Sequence, residues 1–111
     1  MITITVNGLE YYFDFVEHDN KGLQNDGKNT YIGITYHATG HIYISDQPKP
    51  ALMRRTVAHE ISHAYMYAHG FSDIKSYTDE DVCEILTAYA EAIFRETDEV
   101  MKQYNESKVK E

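Results

Sequence analysis

The chain has 111 residues, enough for one domain and one core, with 42% hydrophobic and 25% charged residues. Its formal net charge of −8 excludes the basic surface that phosphate backbones require, so no nucleic-acid partner is expected. A lone cysteine, Cys83, excludes an internal disulfide; the apolar runs are too short to span a bilayer, and MITITVNGLEYYF has no basic-then-apolar leader, so the expectation is a cytoplasmic protein without membrane association.

The first half of the chain alternates and turns like a sheet. Ile2, Ile4 and Val6 alternate with Thr3 and Thr5, and Asn7-Gly8 supplies a two-residue hairpin turn before a return strand over residues 9–16. HDNKGLQNDGKN, residues 18–29, is rich in turn formers and poor in apolar side chains, and reads as a loop. Residues 31–37 and 41–45 form a second β pair around Ala38-Thr39-Gly40, giving three or four antiparallel strands.

The period then changes. Pro48 and Pro50 end the sheet, and Pro50 suits the first position of a helix. Met53, Val57, Ile61, Ala64 and Ala68 recur at helical spacing up to Gly70, a stop signal. Thr78 caps a second helix with Asp81 at its third position, and Val82, Ile85, Leu86, Tyr89 and Ile93 form the buried stripe. The tail, about residues 103–111, is expected to fray. The acids crowd here: residues 1–72 carry seven acids and five Lys/Arg (−2), residues 73–111 eleven and five (−6), which reads as an outward acidic face. The order predicts a single α+β domain over residues 1–111, a small antiparallel sheet followed by two helices.

The first helix carries His59-Glu60-Ile61-Ser62-His63, an H-E-x-x-H. Histidines four apart project from one helical face and reach a common tetrahedral zinc, with the glutamate placed to take a proton from the metal's water. With the core stripe centred near Val57, both histidines lie about 140° away from it, so ligand face and packing face are separate. Random placement of this composition gives only about 0.03 such motifs, so accident is a poor explanation. A catalytic zinc takes three protein ligands and leaves one position open. Three residues are candidates for the third: Glu84 early on the second helix, Glu91 two turns later, and His69, which continued helix would rotate away from His63 and which suits a C-terminal cap instead.

The run RTVAHEISHAYMYAHGF followed by YTDEDVCEILTAYAEAIF resembles the small zinc metallopeptidases of phages and mobile elements, themselves distantly similar to the ImmA/IrrE-type gluzincins. The resemblance covers about residues 51–95 and is most specific at the H-E-x-x-H. It implies a minimal zincin-like fold, one catalytic Zn2+ held by His59, His63 and Glu84, and Glu60 as the base. The Glu-Ala-Asn neighbourhood usual in that family is replaced, Glu84 being followed by Ile85-Leu86, which keeps Glu91 in contention. The implied activity is zinc-dependent hydrolysis of a peptide bond in a protein or peptide substrate, whose backbone would pair with the strand nearest the cleft, His41–Ser45 by position. Tyr77, His37 and His41 are conceivable donors to the oxyanion. The alternative is a non-catalytic zinc-containing binding or regulatory protein of a phage or mobile element. Oligomeric state is not addressed by residue spacing.

Overall fold

The computed structural model describes residues 1–73 and 76–109. The elements run β1 (Ile2–Val6), β2 (Leu9–Val16), a 3-10 turn (Lys21–Leu23), β3 (Gly33–Tyr36), β4 (His41–Ser45), α1 (Pro50–Ala68), a second 3-10 turn (Phe71–Asp73) and α2 (Asp79–Val109). The α+β class and the strands-then-helices order are as the sequence predicts.

The sheet departs from expectation in one respect. Its order is β1-β2-β4-β3, and β2 runs parallel to β4, so it is mixed rather than antiparallel. The β1–β2 and β3–β4 hairpins form as their turns dictate. The segment between β2 and β3 carries the chain past the position of β4, and β4 then folds back into the gap. His41–Ser45 is therefore an interior strand, and the edge beside α1 is β3. Gly40, at φ +75°, closes the second hairpin where any side chain would strike the Glu10 carbonyl.

One face of the sheet takes the helices. Ile4, Val6, Tyr11, Phe13, Ile42 and Ile44 alternate onto that face and are buried against Met53, Val57, Ile61, Ala64 and Tyr65 of α1 and Ile93 and Val100 of α2. The period-2 and period-3.6 stripes meet in one core. Pro50 opens α1, and His69 ends it, its backbone N–H donating to the Tyr65 carbonyl. At the start of α2, Thr78 and Asp81 cap each other reciprocally: Thr78 N–H donates to Asp81 Oδ2 and Asp81 N–H to Thr78 Oγ1, 3.0 and 3.2 Å. Helix continues to Val109, because Val100 is buried and Tyr104 stacks on Phe15 with centroids 3.9 Å apart. No described helix is long and apolar enough to cross a membrane.

Glu96 lies beside Tyr65 at the α1–α2 interface, where its Oε2 is buried and makes no hydrogen bond of good geometry among the described residues. Burial pushes its carboxyl up from the ordinary 4.5, against the opposing pull of the Tyr65 hydroxyl and Arg95. The folded state then holds this proton to higher pH than the unfolded chain does. Its stabilising contribution is complete below about 4.5 and is lost as pH rises through the raised folded value. Glu96→Gln is therefore expected to show a smaller fall in melting temperature between pH 4 and pH 7 than the wild type, by calorimetry. Equal falls would show that Glu96 titrates alike in both states.

Candidate metal centre

The exposed face of α1 presents the histidine pair as its periodicity requires. His59 and His63 are both exposed, one turn apart, with their Nε2 atoms 3.2 Å apart and their rings nearly perpendicular at 80°. Two imidazoles bound at about 2.0–2.1 Å to one tetrahedral ion place their nitrogens roughly 3.3 Å apart. The donor set and its spacing thus fit a zinc ion. Among the described residues, His59, Glu60 and His63 form a group whose ligand atoms lie within 4.8 Å of one another.

Glu60 sits at the boundary between ligand face and core. The residue is only 4% exposed, yet its carboxylate is not stranded there. Thr35 of β3 donates from Oγ1 to Glu60 Oε1 at 2.8 Å, which holds the side chain and leaves Oε2 4.0 Å from His59 Nε2. That separation is too long for a direct hydrogen bond and lies at the outer limit of an ion pair. Two residues earlier on β3, Gly33 lets the strand approach the helix. A Cβ at that position would lie 2.7 Å from Thr56 Cγ2 and 3.1 Å from Glu60 Cγ. Gly33→Ala is expected to destabilise the fold by about 1–3 kcal/mol through this overpacking. A melting temperature within one degree of wild type would contradict the close approach.

β3 also has a free edge. Ile32 and Tyr36 turn their carbonyls toward β4, accepting from Ser45 N and Gly40 N at 2.9 Å each. By antiparallel alternation, the N–H and C=O groups of Gly33 and Thr35 face away from β4, at the side where no strand follows among the described residues. The edge strand named from sequence position, His41–Ser45, is corrected to Gly33–Tyr36 on this ground. Two concavities adjoin the group. One, of about 360 Å³, is lined by Tyr31, Ile32, Leu52 and Arg55 beside His59 and Glu60. The other, of about 460 Å³, joins Thr35 and His37 to His59, Glu60 and His63.

The structure does not bring Glu84 to the pair. The helices are antiparallel: Tyr89 stacks on His69 and lies beside Tyr65, while Arg54 pairs with Asp98 at 2.9 Å. Tyr89 is thus level with the last turn of α1, and Glu84 lies about 7.5 Å further along α2, past the end of α1. It is also turned outward, about 140° from the middle of the packing face. Glu91 is level with the histidines but is likewise exposed and outward, about 160° from that middle. Neither carboxylate joins the His59–Glu60–His63 group, so the expectation of Glu84 as third ligand is not met in this arrangement.

The remaining candidates separate clearly. His69 stacks on Tyr89 at 4.5 Å and ends α1, the capping position expected of it. His41 lies on the opposite face of the sheet, paired with Asp14 at 2.7 Å. Tyr77 lines a hollow beside His59 and His63, but its hydroxyl donates to the Phe71 carbonyl at 2.6 Å. His37 alone of these imidazoles lines the cleft with the pair. Burial lowers its pKa, with a smaller push from His63, so its neutral form is favoured. Thr35 and Gly33 were not singled out by sequence; their only signal there is the strand alternation that puts both on the α1 side.

Comparison of the chain with family models, with curated proteins and with solved structures gives no match.

Proposed function

We propose that this protein is a zinc-dependent hydrolase acting on a peptide bond in a protein or peptide. The observation that carries the reading is the pair of Nε2 atoms 3.2 Å apart with a buried, oriented carboxylate on the intervening turn. His59 and His63 would supply two of the three protein ligands that a catalytic zinc takes, the third coming from outside the His59–Glu60–His63 group. Zinc at that point would supply Lewis acidity, lowering the pKa of a water and polarising a carbonyl. Glu60 would accept a proton at Oε2 and return it to the leaving amine, while Thr35 fixes Oε1 and so keeps the acceptor oxygen directed at the pair. The outward N–H and C=O groups of Gly33 and Thr35 would orient an extended backbone by edge pairing beside Glu60. The side-chain hollow of Tyr31, Ile32 and Leu52 adjoins that track and is mostly apolar.

The test is zinc uptake by the metal-free chain, followed by hydrolysis of a mixed fluorogenic peptide library. The reading requires one zinc per chain and cleavage that ceases on chelation and returns with zinc. Zinc uptake without cleavage would favour the non-catalytic binding protein.

A further inference from the structure

We propose that His37 is a hydrogen-bond donor to the substrate carbonyl oxygen, and that Tyr11 is the positioning residue that puts the donating proton on the correct nitrogen. The proposal rests on the hydrolase reading above and assigns a residue from outside the motif. His37 begins the turn between β3 and β4 and lines the same cleft as His59, Glu60 and His63. Its ring is fixed from two sides. Tyr67, one turn beyond His63 on the same helical face, stacks on it at 4.2 Å with the planes 11° apart. Tyr11 approaches Nδ1 with its hydroxyl at 3.1 Å.

The hydrogen bond to Tyr11 decides what the other nitrogen does. Tyr11 is 1% exposed, and its hydroxyl has no other acceptor among the described residues. If Nδ1 carried the imidazole proton, the buried phenol proton would be stranded without a partner. Tyr11 therefore donates, Nδ1 accepts, and the proton of the neutral imidazole is on Nε2. Nε2 has no hydrogen-bond partner among the described residues. A neutral N–H held rigidly in the cleft is suited to the negative charge that develops on a carbonyl oxygen, and it keeps its proton throughout. The same tautomer argues against His37 as a metal ligand, which would need a lone pair on Nε2.

Two measurements on the full chain test this. Long-range proton–nitrogen NMR of the histidine rings is expected to show the Nε2–H tautomer for His37 in the wild type and a mixture in Tyr11→Phe. An Nδ1–H tautomer in the wild type would overturn the proposal. This readout does not need zinc, so it stands apart from the hydrolase reading, which fails if the wild type takes up no zinc. In the zinc-loaded protein, phenylphosphonate serves as a tetrahedral oxyanion probe. His37→Ala should retain one zinc per chain and bind the probe at least tenfold more weakly, with His37→Gln, which restores an N–H donor, recovering most of the loss. Loss of zinc in His37→Ala would make it a ligand and overturn the donor role. Unchanged affinity, or no detectable probe binding by the zinc-loaded wild type, would overturn it as well.

Discussion

Glu60→Gln is expected to keep its zinc and lose hydrolysis, with the rate falling by about 10²–10⁴-fold, the usual worth of a positioned general base. The two carboxylate oxygens have different partners, which is why the substitution is informative. Thr35 donates to Oε1, so the amide of Gln can keep its carbonyl oxygen on Thr35 and present its NH₂ group where Oε2 was. Shape and burial are preserved, and the capacity to accept a proton is removed. Rate measurements at saturating peptide, alongside zinc content, check both halves. Full activity in Glu60→Gln would reject the proposed mechanism, and loss of zinc would make Glu60 a ligand rather than a base.

The second large effect concerns the ion. His63→Ala is expected to weaken zinc binding by more than a hundredfold, since removing even an outer partner of a metal ligand costs about 10–100-fold. The nitrogen that lay 3.2 Å from His59 Nε2 has no substitute within the group. Because His63 is exposed and lies off the packing face, the fold should survive with little change in melting temperature. Glu84→Ala and Glu91→Ala, both on the outward face of α2, should leave zinc affinity within about twofold on the same scale. Competition titration against a chromophoric chelator reads all three. A hundredfold loss in Glu84→Ala would require α2 to turn its acidic face inward, against the burial of Ile93 and Val100.

Much of this was legible in the residues, and what was not has physical causes. The H-E-x-x-H is contiguous, so a helix alone fixes the relation of its two histidines, and the stripe through Val57 and Ile61 correctly separates packing face from ligand face. Thr78 and Asp81 announce their reciprocal cap for the same reason: the contact is local. Sheet order is not local. Asn7-Gly8 and the turn before Gly40 specify two hairpins, but nothing in either states that β4 lies beside β2 in parallel. The edge strand was misassigned through that gap, and with it the groups of Gly33 and Thr35 that border Glu60. Glu84 neighbours the α2 stripe in sequence, which suggests a carboxylate within reach of α1, yet at 100° per residue it points about 140° from the middle of the packing face. The relative reach of α1 and α2, which leaves Val82 and Leu86 of that stripe exposed, could not be read from periodicity. The helical end at Val109 depends on Tyr104 finding Phe15 at the far end of the chain.

X-ray absorption at the zinc edge, on chain loaded with one equivalent of metal, examines the paired imidazoles most directly. Two imidazole shells with nitrogen or oxygen neighbours at about 2.0–2.1 Å, and no sulfur at about 2.3 Å, is the predicted spectrum, and it should fall to a single imidazole in His63→Ala. A wild-type spectrum with one imidazole or none, or with a sulfur neighbour from Cys83, would contradict a shared ion between His59 and His63.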